Sequence, residues 1–492
     1  MGEALATVAE GRLRGVSEEG VNHFLGVPYA AAPAGALRFK APAAHSGWSG
    51  VRDCSEPGPT APQSPTPDFP GLDLVPLVGA GWRQGGEFLQ ANIWAPEGAK
   101  DAPVMVFIHG GAFVGGSNDA AVTDGTAFAR SGVVLVSINY RLGIEGWLAL
   151  SGAPTNLGLR DQIAALAWVK ANIAAFGGYP GNVTVFGESA GAMSIGCLIA
   201  SPPAQGLFRR AIVESGHGSM VRPIAIAERV TKRLAKMAGV TPDAAGFATL
   251  TPAEWVPIQQ KLQLPTTRID LRDETGIEPA FGLSRFLPVY GDDILPDQPL
   301  DALAKGIGAD IDLLIGTNAE EMNLYFVPTG ARDKIGRLLA WTITRGKVRR
   351  AWAILKAYGM GKRKPGQVFT DAMNDLVFRL PARVFAAAHR GRTYFYEFGW
   401  RSPAFDGELG ACHALELPFV FGTTDRCSGE YGFVGANPPQ DLADRVHAVW
   451  VGFARDGGLD WPEYSGATPC VMRLERNEAA MEAPLKAAAF WP

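Results

Sequence analysis

VTVFGESAGA, residues 183–192, starts as a β-branched run, turns through Gly187, Glu188, Ser189, Ala190 and Gly191, and carries on in small residues that suit a helix. A strand that bends this sharply into a helix leaves the residue at the bend standing clear at the carboxyl edge of its sheet. Glycines two places before and two places after Ser189 let the strand and helix backbones close on one another, which a Cβ at either place would obstruct. Gly-x-Ser-x-Gly is a weak pattern by itself. With a strand before it and a helix after it, Ser189 becomes a candidate nucleophile on an α/β sheet.

On either side of this elbow, apolar runs at 103–108, 132–138, 182–186, 210–214, 312–315 and 394–398 each end in a glycine-rich or polar turn. Leu159, Ile163, Leu166, Val169 and Ile173 recur at three or four residues, the spacing of a helix lying on a sheet. Strands alternating with helices predict an α/β fold with a mostly parallel central sheet and helices on both faces. Six prolines from Cys54 to Pro70, the last included, deny helix and interior strand alike, so that stretch is expected as a surface loop. The regions 217–286 and 323–380 lack a strand rhythm and are expected as helical insertions capping a site. At 492 residues the chain reads as one elaborated catalytic domain, 1–492.

FIHGGAFVGG, residues 107–116, follows a predicted strand about eighty residues before the serine. Attack of a hydroxyl on a carbonyl leaves negative charge on the former carbonyl oxygen. The backbone N–H groups of Gly110 and Gly111, joined by that of Ala190, can point at that charge with no side chain in the way, and one such donor is worth about 3 kcal/mol. His109, just before the paired glycines, reads as a loop-shaping residue rather than a base.

A serine hydroxyl needs a base, and the base an orienting carboxylate. Of seven histidines, His413 lies in LGACHALELPFVFG after the last predicted strand. His23, His45, His389 and His447 lack such a setting, and His217 follows a strand end near the site. The order serine, acid, histidine is that of α/β hydrolases and favours His413.

These residues, taken together, resemble the type B carboxylesterase family, which includes bacterial para-nitrobenzyl esterases, animal carboxylesterases and cholinesterases. The resemblance spans nearly the whole chain. It runs through FLGVPYAAAPAGALRFKAP, GWSGVRD, HGGAF, SINYRLG, the stretch from NLGLRDQ to GESAGA, GTNAEEM, GACHALELPFVFG and WVGFARDGGLDWPEY. It implies an α/β-hydrolase fold and hydrolysis of carboxylic esters to acid and alcohol through an acyl-enzyme on Ser189, with His413 as base. The family's acid falls in the pattern Gly-x-Asn-x-x-Glu, which Gly316 to Glu321 fill in order, so the resemblance chooses Glu321 over its neighbour Glu320. Glu188 and Ser215 match positions that steady the triad by hydrogen bonds, and an ion pair between Arg38 and Glu87 is implied beneath the site. Trp147 stands near a position that lines the acyl pocket in the family, and an ordinary core tryptophan is the other reading.

The chain also departs from the family. GGEFLQANIW at 85–94 lacks the cysteine of the family's first disulfide loop, and Trp82 is out of register with the tryptophan by which cholinesterases hold quaternary ammonium. Choline esters are therefore not the expected substrates. Some family members are catalytically dead adhesion proteins that have lost the serine or its partners; this chain keeps Ser189, His413 and the paired glycines.

Composition narrows the partners. A net charge of −4 gives no overall field to recruit nucleic acid or an anionic membrane, so a small-molecule ester is expected as partner. The basic cluster Arg345, Lys347, Arg349, Arg350, Lys356, Lys362, Arg363 and Lys364 reads as a solvated helix and turn rather than an anion-binding face. Cys54, Cys197, Cys412, Cys427 and Cys470 are odd in number and widely spaced, unlike a disulfide framework or metal knuckle, and are expected as free thiols, with Cys412 a small buried residue. Acidic residues enter the opening MGEALATVAEGRLRG at once, and no later window has the length and apolarity of a membrane span, so a cytoplasmic protein is expected. No metal or organic cofactor is implied.

Overall fold

The structure, a computed structural model, describes residues 2–278 and 284–491; the small part of the first expected insertion at 279–283 lies outside them. The chain opens with antiparallel strands β1 (Gly2–Val8), β2 (Gly11–Glu18) and β3 (Val21–Pro28), to which β4 (Val51–Asp53) adds at β2. β5 (Gln90–Pro96), β6 (Ala102–Ile108), β7 (Val134–Ile138), β8 (Gly178–Glu188) and β9 (Arg210–Glu214) follow. A short pair, β10 (Arg222–Pro223) and β11 (Val289–Tyr290), stands apart, and β12 (Asp312–Asn318), β13 (Thr393–Phe398), β14 (Cys470–Arg473) and β15 (Glu478–Met481) complete the main sheet.

Among the described residues that sheet has 13 strands, ordered β1-β2-β3-β5-β7-β6-β8-β9-β12-β13-β14-β15, with β4 off the path. From β7 to β14 every neighbouring pair is parallel, and the outer pairs are antiparallel. The α/β-hydrolase fold expected from the sequence is the one observed. Every run read as a strand is a strand, with β8 and β12 extended by several residues.

Both faces of the central strands are covered, which is why they read as unbroken apolar runs. Along β6, Val104, Val106 and Ile108 enter one core with Val134, Val183 and Val213, while Met105 and Phe107 enter a second core with Leu135, Phe186 and Ile212. Successive side chains leave a strand on opposite faces, so one sheet separates two hydrophobic layers. β1 instead alternates exposed and buried residues, as an antiparallel strand with one wet face does. The helix read from Leu159 to Ile173 runs Leu157–Asn172, continued by a 3-10 turn Ile173–Phe176.

Residues 217–278 hold helices Ile224–Ala238, Ala244–Ala248 and Pro252–Gln263. The stretch from Asn323 holds Asn323–Phe326, Ala331–Lys334, Arg337–Thr344, Ala351–Ala357 and Pro365–Asn374, then a π-helix Asp375–Arg379 that runs on into Leu380–Ala388. All five cysteines are buried and unpaired. No helix among the described residues is long and apolar enough to cross a membrane.

The implied pairing of Arg38 with Glu87 is not found. Arg38 Nε donates to Glu145 Oε1 at 2.8 Å, and its Nη1 donates to Leu250 O at 2.6 Å. Glu87 takes Arg52 Nη2 at 2.8 Å and lies 3.1 Å from His45 Nε2. The exchange has a physical cause. Glu145 is buried in helix Gly143–Trp147 and needs a counter-charge, whereas Glu87 is already served by Arg52 on β4.

Candidate active site

β8 ends at Glu188 and helix Ala190–Ile199 begins two positions later, leaving Ser189 alone at the bend with φ 53° and ψ −119°. Few non-glycine residues hold such a conformation, and here the surroundings impose it. Ser189 N donates to Glu214 O at 2.9 Å, and Ser189 O accepts from Met193 N at 2.8 Å. The flanking glycines are sterically required: a Cβ on Gly187 would lie 2.4 Å from Ile108 O, and one on Gly191 only 1.9 Å from it.

The loops after β12 and β13 bring the partners. His413 Nε2 lies 2.8 Å from Ser189 Oγ, and His413 Nδ1 lies 2.6 Å from Glu321 Oε2. Glu321 Oε1 also accepts from Asn318 N at 2.7 Å, which fixes the carboxylate from its other side. All three side chains are buried, Glu321 completely. The imidazole packs against Phe378 at 4.7 Å and Tyr325 at 5.5 Å between ring centroids, so it has little room to turn. Phe378 belongs to the π-helix, a feature common where a helix is bent to serve a site.

Across the cleft, the loop after β6 turns through Gly110 and Gly111, the latter at φ 104°. A Cβ on Gly110 would lie 2.6 Å from Glu188 Oε2, and one on Gly111 would lie 2.2 Å from Gly115 O. Neither glycine N–H is bonded among the described residues, and Ala190, the first residue of its helix, has no partner for its N–H within that helix. His109 shapes this loop. Its Nδ1 lies 2.8 Å from Gly110 O, its ring stacks on Tyr140, and burial pushes its pKa down to about 4. Tyr140 Oη donates to His109 O at 2.8 Å. The next residue, Arg141, is clamped on Asp161 through Nε at 2.8 Å and Nη2 at 2.6 Å, and its Nη1 donates to Lys40 O at 2.7 Å.

Four more carboxylates surround or adjoin the three central residues. Glu188 Oε1 lies 3.0 Å from His413 Nε2, within ion-pair range. Glu416 accepts from Asn318 Nδ2 at 2.5 Å, and burial together with the charges of Glu188 and Glu321 pushes its pKa up to about 8. Glu214 accepts from Trp450 Nε1 at 2.8 Å and is raised well above the usual carboxylate range, chiefly by burial. Burial alone would lower the His413 imidazole, but Glu188 foremost, with Tyr325 and the hydrogen bond to Glu321, holds it well above an ordinary histidine. Glu320, the fourth, faces away toward Arg401 and Ala411 N.

Not every expected contact is made. Ser215 is buried, donates its N–H to Gly316 O at 2.9 Å, and leaves its hydroxyl without a partner among the described residues, so the expected hydrogen bond to the triad is not formed. Trp147 is a core residue, 4.4 Å from Phe113 between ring centroids, and is not part of the cavity wall. His217 is buried with Nε2 on Val377 O at 2.9 Å. The thiol of Cys412 is driven well above its ordinary pKa by burial and by Glu321, as suits a packed core residue. Asn318 is the asparagine of the Gly-x-Asn-x-x-Glu pattern, whereas nothing in the sequence marks Glu214, and Glu416 is marked only by sitting three residues beyond His413 in a run otherwise apolar.

The cavity over Ser189 has a volume of about 460 Å³. Phe69, Leu74, Leu77, Val78, Val114 and Leu324 give it a mainly apolar wall, and Gln259 and Gln263 of helix Pro252–Gln263 reach it from the first insertion. No group of three or more metal-ligating side chains is found among the described residues.

A family model described as the carboxylesterase family matches residues 3–491. The chain belongs to the carboxylesterase family. Its enzyme class follows, the hydrolysis of carboxylic esters by a serine hydrolase. It is similar to the para-nitrobenzyl esterase of Bacillus subtilis (strain 168), 34% identical over 486 residues that cover 95% of this chain and 94% of that one. It is also similar to the phenmedipham hydrolase of Pseudarthrobacter oxydans, 33% identical over 488 residues covering 95% and 94%. Among solved structures, the Geobacillus stearothermophilus carboxylesterase EST55 at pH 6.2 superposes with a TM-score of 0.82 at 34% identity, covering 99% of this chain and 100% of its own. A PNB esterase gives a TM-score of 0.82 at 32% identity, covering 99% of each chain. Carboxylesterase membership accounts for the long motifs shared from the first strands to the last helix.

Proposed function

We propose that Ser189, His413 and Glu321 form the catalytic triad of this esterase. The observation that carries the assignment is the unbroken chain from Ser189 Oγ to His413 Nε2 at 2.8 Å and from His413 Nδ1 to Glu321 Oε2 at 2.6 Å. As Oγ attacks the ester carbonyl, Nε2 removes its proton, and Glu321 holds the ring tautomer and stabilises the imidazolium. The N–H groups of Gly110, Gly111 and Ala190 receive the oxyanion. Collapse of the tetrahedral intermediate breaks the bond to the alcohol, which takes the proton from Nε2 and departs, while the acyl group stays on Oγ. Water, deprotonated by the same nitrogen, then releases the acid and restores the serine.

Glu188, beside Nε2, acts on the charge of the imidazole, and Ser215 stands behind the site without entering proton transfer. The whole chain acts as one catalytic domain whose helical insertions cap the cavity. An apolar wall with few polar groups favours neutral esters with small or medium acyl and alcohol parts over charged ones. Five unpaired, buried cysteines support a reducing compartment, the cytoplasm.

Rapid mixing with a nitrophenyl ester tests the assignment. A burst of nitrophenol of one equivalent per chain is expected, followed by slower turnover, and Ser189→Ala abolishes both. A burst that survives in Ser189→Ala would place the nucleophile elsewhere.

A further inference from the structure

Helix Arg337–Thr344 packs Trp341 against the core and carries its three aliphatic side chains outward. Leu338, Leu339 and Ile343 are 74%, 47% and 37% exposed, while Ala340 and Thr344 are the residues it buries. On the adjoining helix Ala351–Ala357, Trp352 is 41% exposed. Scattered exposed hydrophobics are ordinary, but a short helix that points its leucines at solvent beside an exposed indole inverts the usual amphipathic arrangement.

The charge around this face is as uneven. Between 332 and 364 there are eleven lysines and arginines against a single carboxylate, Asp333, inside a chain whose net charge is −4. Arg332, Lys347 and Arg363 are engaged by Glu408, Glu278 and Asp371. Arg337, Arg345, Arg350 and Lys356 are exposed and in no ion pair among the described residues. Arg345 and Lys356 instead lie over the rings of Trp341 and Trp352, at 4.9 and 6.0 Å. A charge acts over roughly 8 Å at physiological salt, so this cluster governs the surface it faces whatever the chain sums to. The whole-chain sum therefore hides it.

We propose that this face docks the enzyme on an anionic lipid surface. Three aliphatic side chains and an indole match the boundary between headgroups and acyl chains, and the surrounding cations match lipid phosphates and carboxylates. A second copy of the chain would bring the same cations face to face, which disfavours self-association there. A nucleic acid would be met by stacking aromatics rather than by leucines. An eight-residue helix can lie at such an interface and cannot cross it.

The full-length protein sedimented with vesicles tests this. Retention on phosphatidylcholine vesicles containing about 30% phosphatidylglycerol should exceed that on phosphatidylcholine alone by at least about tenfold, and should be lost at about 0.5 M salt. Leu338→Asp with Leu339→Asp, and separately Arg345→Gln with Arg350→Gln, should each lower retention by about tenfold while turnover of a water-soluble ester stays as in the parent. Three results would overturn the proposal: equal retention on neutral and anionic vesicles, active variants that bind like the parent, or capture of single-stranded RNA without retention on vesicles.

Discussion

Glu320 and Glu321, neighbours in the chain, serve opposite sides of one loop. Glu321 meets His413 Nδ1 at 2.6 Å and Asn318 N at 2.7 Å, whereas Glu320 takes Ala411 N at 3.0 Å and pairs with Arg401. Both lie in the turn that follows β12, where Glu320 N donates to Ala411 O at 2.8 Å and Glu321 O accepts from His413 N at 3.2 Å, and from that turn the two carboxylates leave toward different partners. Glu321→Gln should therefore cost at least about a hundredfold in kcat, because the imidazolium loses its counter-charge. Glu320→Gln keeps an acceptor for Ala411 N and should stay within about tenfold, a loss of at most about 1.4 kcal/mol. Steady-state kinetics of the two variants decide the register, and the reverse ranking would refute it.

The acid limb of activity should report His413. Only the neutral imidazole can accept the serine proton, so the rate rises as pH climbs through its pKa, and that pKa is held above the ordinary histidine value of 6.5. The strongest influence raising it is Glu188. Glu188→Gln removes that charge, so the limb should move to lower pH. Profiles of kcat/KM against pH for parent and variant provide the check; a limb that stays put or moves upward would show that Glu188 does not bear on the imidazole.

A stability effect is expected far from the nucleophile. Arg141 and Asp161 are 1% and 0% exposed in their side chains, and Asp161 accepts three hydrogen bonds from Arg141, two from the guanidinium and one from the backbone N–H. Truncating either leaves the other charge buried and alone, so Arg141→Ala should lower the unfolding free energy by about 3–5 kcal/mol. Because Tyr140 next door holds His109 O, the paired glycines should lose their placement too. Denaturant unfolding gives the first quantity, and a fall in kcat of the still-folded variant gives the second.

The nucleophile was legible because its elbow is written locally: strand, bend and helix are adjacent in sequence, and both glycines answer to one carbonyl, that of Ile108. Central strands were legible as apolar runs because both their faces are buried. The outer antiparallel strands were not picked out, since β1, with one wet face, looks like ordinary mixed sequence. Partner choice among buried charges was not legible either. Arg38 reaches Glu145 across 107 positions, and nothing local distinguishes that carboxylate from Glu87. Ser215 had the right place at a strand end, but a hydroxyl's direction depends on a φ of 52° that no spacing rule supplies. The aromatic walls of His413 came from Tyr325 and Phe378, the second on a π-helix that periodicity reads as plain helix.

Ser189 and His413 touch across 224 positions of chain, and Glu321 and His413 across 92. Pairings so distant form late, because a long loop must be closed before the contact rewards it, and chains of this size fold as they are made from the N-terminus. A nascent polypeptide that has laid β8 beside β6 already owns its bend and its serine, yet no base can reach that hydroxyl until β13 has zipped onto β12 and the loop behind it has settled. Chains in which β13 has not yet paired with β12 thus carry an inert alcohol rather than a stray hydrolase.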